Sequence, residues 1–385
     1  MVHKKIVTYF EEHYSKSPTL IKAPGRINLI GEHTDYNEGL VLPASIEKGI
    51  YFAVSGNDLN SIRIETFLTQ PEKIEFQLNS HHNPFNSFWG NYFKAIIEIL
   101  VSKDYPLKGM DCVFGGDIPI GSGLSSSAAL CCGFIYAITK VSGKSISREK
   151  IALIAQEAEH KIGLNCGLMD QYAVLFGKKG NAFLLDCKDL SHNYIPINLN
   201  GYSWVLVNSN IKHNLAVDSE YNKRRISCEN IVKGVQKSRP EIKSLRDVTL
   251  VDLNSLVNVS NSIDIKRAKY VIEENDRVRQ MIKVLTLGDA LAVGEILRKG
   301  HWAMSIEYEI TTTELDTLVK IGEGLEGVLG SRMMGGGFGG CTINLVQTDT
   351  LDESINSLLQ QYKDQTGIDA EYYPLSIDDG VKVFE

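Results

Sequence analysis

Two hydrophobic periods run along this chain, and the switches between them mark its elements. Apolar positions at helical spacing predict a short amphipathic helix over 5–14 (KIVTYFEEHY) and a second helix over 89–102 (WGNYFKAIIEILVS). Segments 26–30 and 40–55 are rich in β-branched and aromatic residues and read as strands, with a turn at Asn37-Glu38-Gly39. A strand end at VFGG runs into a Gly/Ser loop and then a long helix opening near Ser126. That helix is small and apolar on every side, which predicts burial all round. Over 147–163, Ile151, Ile154, Ala155, Ala158 and Ile162 form one stripe, with Ser147 as N-cap. A short helix over 167–177 ends at Gly177.

Segments 182–186 and 204–209 read as strands. The stretch between them, CKDLSHNYIPINLNGY, reads as loop, and the domain boundary is expected there, giving domains 1–195 and 196–385. The second half predicts helices over 218–235, 263–286, 288–303 and 313–323. A Gly-rich turn (335–340), a strand (342–347), a helix (351–364) and a terminal strand follow. Alternation of β and α elements in both halves gives an α+β or mixed α/β class.

Composition narrows the function classes. At 385 residues the chain calls for two domains or one bilobal unit. An apolar fraction of 43% with 23% charged residues is that of a folded protein. Lys plus Arg is 40 against 47 for Asp plus Glu, a net charge of −7, which argues against nucleic acid or an anionic membrane as partner. The seven cysteines lack any C-x-x-C spacing, so reduced thiols in a cytoplasm are expected. The N-terminal MVHKKIVTYFEEHYSK has no apolar core of a signal peptide, and no run of roughly 18 apolar residues predicts a membrane span.

Four polar features carry candidate chemistry. The first is the loop Pro119–Ala128 (PIGSGLSSSA). Its glycines let the backbone approach a ligand, its serines add hydroxyls, and the following helix aims orphan N–H groups into it. A di- or triphosphate suits such a loop; so does a plain serine-capped turn. The pattern G-x-x-x-x-G-K-[ST] is absent, because Gly143-Lys144-Ser145 lacks the upstream glycine. The second is GGGFGG (335–340), which fits G-x-G-x-x-G but opens into a strand and follows no clear strand, unlike a dinucleotide site. It reads as a flexible turn or, preferably, a rigid loop packed close to a ligand. The third is 24–37, which packs Arg26, Asn28, Glu32, His33, Asp35 and Asn37 into a dozen positions. A polyhydroxyl ligand needs such mixed donors and acceptors. A polar surface turn is the alternative, and His33 as a metal ligand lacks a second His or Cys at ligand spacing. The fourth is Glu157, Glu159 and His160 followed by CGLMDQ (166–171). One carboxylate could hold Mg²⁺ while another accepts a proton, or both could be solvated surface groups.

These features, in this order, resemble the galactokinases of the GHMP kinase superfamily from Lys22 to about Val383. GRINLIGEHTDYNEGLVLP (25–43) is similar to the galactokinase signature, IPIGSGLSSSAAL (118–130) to the superfamily phosphate loop, and RMMGGGFGGCTINL (332–345) to the third motif. CGLMDQ and SEYNKRR (219–225) also match. Met334 departs from the small polar residue usual there. The resemblance implies two lobes, an N-terminal ribosomal S5 domain 2-like lobe and a C-terminal ferredoxin-like lobe, with the site between them. It implies ATP-dependent phosphorylation of the C1 hydroxyl of galactose, the first committed step of galactose catabolism by the Leloir pathway, by a cytoplasmic monomer. Asp170 would be the base and Arg26 its orienting partner. Glu32, His33, Thr34, Asp35, Gly167, Asp170 and Tyr221 would bind sugar. Gly121, Ser122, Gly123, Leu124, Ser125, Ser126 and Ser127 would wrap the phosphates, and Ser127 and Glu159 would hold Mg²⁺. Competing readings are a kinase of N-acetylgalactosamine, galacturonate or arabinose, and a non-catalytic galactose and ATP sensor. The uninterrupted EHTDYN favours galactose, and the full-length loop with Asp170 argues against a sensor.

Overall fold

The computed structural model describes residues 1–384 apart from 69, 79–84, 120, 165, 212–216 and 259; Ile120 of the phosphate-type loop thus lies outside the described residues. The first lobe is built on a six-stranded sheet in the order Lys382–Val383, Thr19–Asn28, Pro43–Gly56, Met110–Gly116, Ser61–Thr66, Lys73–Gln77. Along Pro43–Gly56, Phe52 and Val54 face one core while Tyr51 and Ala53 face another. That period-2 division lets helices cover both faces of the sheet. Ile6 and Phe10 of the helix Val2–Tyr14 close one face. The helices Phe88–Ser102, Ser126–Val141, Arg148–Lys161 and Met169–Phe176 close the other. Ser147 caps Arg148–Lys161 as predicted, its hydroxyl accepting from Lys150 N–H.

Ser61–Thr66 and Lys73–Gln77 are strands that the sequence pattern does not predict, and two further strands contradict an expectation. His192–Pro196, read as loop, is an edge strand antiparallel to Asn181–Asp186, in a small sheet completed by Leu40–Val41. A polar, proline-ended edge strand takes its order from the ladder beside it, not from its own pattern. The glycine turn does follow a strand: Val328–Met334 precedes it and Cys341–Gln347 leaves it, a hairpin with no helix opening from it.

The second lobe carries an antiparallel sheet ordered Val328–Met334, Cys341–Gln347, Tyr202–Asn208, Glu371–Leu375. In chain order this is 2-3-1-4, the arrangement of a ferredoxin-like β-α-β-β-α-β unit. Leu318, Ile355, Leu358 and Tyr362 of Thr313–Glu323 and Leu351–Thr366 pack on one face. The other face shares a core with the first lobe: Leu29, Ile30 and Leu42 pack with Leu206, Ile343 and Leu345, and with Val278 and Met281 of the helix Ser262–Leu287. The tail crosses back, since Lys382–Val383 pairs with Thr19–Asn28. No helix among the described residues is long and apolar enough to cross a membrane.

A buried ion pair joins the lobes. Arg332 donates from Nη2 to Glu32 Oε1 at 2.7 Å and to the Asn28 carbonyl at 2.6 Å, and from Nη1 to Glu32 Oε2. Removing one member of such a pair strands the other charge, at roughly 3–5 kcal/mol. Arg332→Met should therefore lower the unfolding free energy in urea by about that much. Glu32→Gln combined with Arg332→Met should recover part of the loss; an additive double variant would contradict this account of the pair.

Candidate active site

A cleft of about 240 Å³ is lined by residues of both lobes. The strand Thr19–Asn28 brings Arg26, the turn after it brings Glu32, His33 and Asp35, and the helix Val217–Gln236 brings Tyr221 and Asn222. Glu159 ends Arg148–Lys161, and Asp170 opens Met169–Phe176. Arg26 Nε and Nη2 donate to Asp170 Oδ1 and Oδ2 at 2.8 and 2.9 Å, and Nη1 donates to the Gly123 carbonyl at 2.6 Å. This fork–fork pairing fixes the carboxylate in position and in plane.

The phosphate-type loop adjoins that pair. Gly121, Gly123 and Ser125 have φ of 73°, 68° and 58°, the left-handed region that glycine enters freely. Ser125 is the N-cap residue of Ser126–Val141, yet its hydroxyl donates to Asp170 Oδ2 and does not cap the helix. The first-turn N–H groups are left for a ligand, and an anion suits them. Arg26, Ser127, Asp170, Gly335 and Gly336 line both this loop's cavity and the main cleft.

The signature turn divides its polar residues unequally. Thr34, expected to touch sugar, is fully buried, with its hydroxyl 2.9 Å from the Gly31 carbonyl and 2.7 Å from that of Leu40. It closes the turn and does not line the cleft. Glu32 lines the cleft, but its oxygens are engaged by Arg332 and by Gly335 N–H at 3.3 Å. His33 Nε2 lies 3.3 Å from the Gly336 carbonyl, which can only accept, so Nε2 carries the proton and Nδ1 accepts from the Tyr36 hydroxyl at 2.8 Å. Burial holds its pKa down to about 4, leaving the ring neutral. The Tyr221 ring packs 5.0 Å from His33, tilted to it, and 5.4 Å from Tyr36, edge-on.

Asp35 and Gly167 are fitted to one another. A Cβ on Gly167 would stand 1.9 Å from Asp35 Oδ2, so only glycine admits the carboxylate. Burial, then the nearby Asp170 charge, push the Asp35 pKa up to about 6. Glu159 is also buried; it accepts from Gln171 Nε2 and bonds the Ser127 hydroxyl, and burial pushes its carboxyl upward. A cation beside it would relieve that cost. Among the described residues no group of three or more His, Cys, Asp or Glu could hold a metal. One carboxylate and one hydroxyl nonetheless fit Mg²⁺, which takes one or two protein oxygens and completes its shell from phosphate and water. Glu157 lies outside the site, paired with Lys103 at 2.9 Å.

Sequence reasoning missed Arg332, the partner of Glu32, and Asn222 and Leu164 of the lining. Arg332 and Asn222 stand inside recognised motifs and Leu164 just before one, but none carries a local signal of its own role.

A helix N-terminus aimed at a glycine loop, a fork-held carboxylate and this two-lobed topology define a GHMP-type kinase. Residues 91–178 match the family described as GHMP kinases N terminal domain, 281–364 match GHMP kinases C terminal, and 8–56 match Galactokinase galactose-binding signature. Galactokinases of Fusobacterium nucleatum and Thermotoga maritima are each 38% identical, over 95% and 94% of this chain and 95% and 99% of their own lengths. The structure of Lactococcus lactis galactokinase complexed with galactose superposes with a TM-score of 0.93 at 32% identity, covering 100% of both chains. Methanococcus jannaschii mevalonate kinase, 18% identical with a TM-score of 0.64 over 94% of this chain and 99% of its own, shares the fold. The chain belongs to the galactokinase family of phosphotransferases.

The Asp35 shift makes a signed prediction. Its folded pKa of about 6 lies above the unfolded value near 3.9, so stability falls as pH rises from about 4 through 6. Asp35→Asn should melt above the wild type at pH 7.5, and the two should converge near pH 4, as read by calorimetry. Gly167→Ala, which drives a Cβ into the Asp35 carboxylate, should lower the melting temperature; an unchanged melting temperature would contradict the fit between Gly167 and Asp35.

Proposed function

We propose that this protein transfers the γ-phosphate of ATP to the C1 hydroxyl of α-D-galactose, giving galactose 1-phosphate and ADP. The observation that carries this reading is that the loop cavity and the polar cleft meet at Arg26 and Asp170. A donor phosphate held by Gly121–Ser127 and an acceptor hydroxyl in the cleft would face each other there. The kinship with galactokinases supports galactose as the acceptor.

Asp170 takes the C1 proton as the new P–O bond forms; the anomeric hydroxyl is more acidic than an ordinary alcohol, so a carboxylate suffices. Arg26 keeps that carboxylate in line and sets positive charge beside the transferring group. Asp35, His33, Gly167 and Tyr221 contact the sugar, with Glu32 and Thr34 supporting their turn from behind. Ser127 and Glu159 would hold Mg²⁺, which neutralises phosphate charge when bound. Alignment and charge neutralisation supply most of the catalysis in such a transfer.

In this reading lobes 1–195 and 196–385 clamp the two substrates between them. We assign the protein to the cytoplasm, where its seven unpaired cysteines would stay reduced, as a monomer.

Asp170→Asn should lower kcat by roughly 10²–10⁴-fold, the usual worth of a general base. Galactose binding, read by calorimetry, should survive. Near-normal kcat in that variant would remove Asp170 from the role.

A further inference from the structure

Most polar side chains of the cleft are already committed to protein partners. Arg26 and Asp170 hold each other, Glu32 holds Arg332, His33 holds Tyr36 and Gly336, and Glu159 is engaged by Gln171. Asn222 is different. It lines the same cleft, is partly exposed, and its carboxamide makes no hydrogen bond among the described residues.

Its backbone, in contrast, is held on both sides. One residue earlier, Tyr221 is packed against His33 and Tyr36. Two residues later, Arg224 is 4% exposed, lies 4.8 Å over the Phe338 ring, and donates to the carbonyls of Tyr308, at 3.3 Å, and Glu309. The helix turn carrying Asn222 is thus anchored to the π-turn Met304–Tyr308 and to the glycine hairpin. An amide with an unused donor and acceptor, on an anchored backbone, loses little freedom when it binds. A sugar hydroxyl is also donor and acceptor together, the partner such an amide fits.

Resting on the galactose reading above, we propose that Asn222 is a specificity-determining residue whose carboxamide hydrogen-bonds one hydroxyl of the sugar other than that at C1. A sugar lacking that hydroxyl leaves the amide unpaired against the bound ligand, and is discriminated against for that reason.

The test pairs protein and substrate deletions. Wild type and Asn222→Leu are compared by kcat/KM on galactose and on its 2-, 3-, 4- and 6-deoxy derivatives, with ADP release as readout. The variant should lose about tenfold on galactose, the worth of one neutral hydrogen bond. One deoxy sugar should be turned over equally by both proteins, and that sugar identifies the hydroxyl. A loss of the same factor on every sugar, or no loss on galactose, overturns the proposal. Asn222→Ser provides the same comparison should the leucine variant fold poorly. Wild type without activity on galactose would instead refute the galactose reading itself, so the two failures are distinct.

Discussion

Arg26 lies almost wholly buried on the strand Thr19–Asn28, and its planar guanidinium gathers three segments far apart in the chain. It grips both oxygens of Asp170 and the carbonyl of Gly123, while its own backbone N–H bonds the Leu124 carbonyl at 3.1 Å. A Cβ at Gly121 or Gly123 would meet nothing within 4 Å, so the glycines themselves are open, while the loop is seated by the buried Ser122 and Leu124. The two carbonyl contacts add the link between that seated loop and the Asp170 carboxylate. A lysine would not serve, because a point charge cannot bind in two directions within one plane. Phosphoryl transfer rewards geometry held to a fraction of an ångström, so the register between loop and carboxylate is the constraint on which the rest of the cleft depends.

The second lobe adds walls and rigidity. Glu32 and Arg332 neutralise each other inside the protein, and the helix Ser262–Leu287 adds two further holds on the signature turn. Glu274 accepts from Gly31 N–H at 2.9 Å, and Asn275 accepts from Leu40 N–H at 2.7 Å. An apolar core continuous across the lobes backs the signature turn from beneath. Met334, where a small polar residue was expected, is used within this frame: its sulfur accepts from Asn28 N–H at 3.3 Å. Burial also opposes the ionisation of Asp35 and Glu159, as it does that of Glu32, and among the described residues these two lack an arginine partner of the Arg332 kind, so a bound ligand can relieve their cost.

Long helices were legible because their periodicity is local. The prediction over 313–323 coincides with Thr313–Glu323, and that over 147–163 brackets Arg148–Lys161. Lys73–Gln77 and His192–Pro196 are edge strands, whose order comes from a neighbour distant in sequence, and Ser61–Thr66, though interior, is set by its pairing with Met110–Gly116 and not by a local pattern. The same limit operated at the site. Glu157 and Glu159 are two residues apart on a helix, about 200° around its axis. One therefore meets solvent and Lys103 while the other meets the cleft. Thr34, among cleft residues in the motif, points away because its hydroxyl closes the turn that presents them.

The sequence by itself determined the α+β alternation, the three glycine-bearing motifs, the kinship they declare, and the residue types from which a kinase site can be built. These depend on short-range periodicity and contiguous strings. Only the tertiary structure decided which of those side chains face the cleft. It also paired Glu32 with an arginine 300 residues away, made His33 neutral, raised Asp35, and left the Asn222 amide without a partner among the described residues. Burial, pKa and hydrogen-bond partnership belong to atoms brought together from across the chain, and no local stretch of sequence contains them.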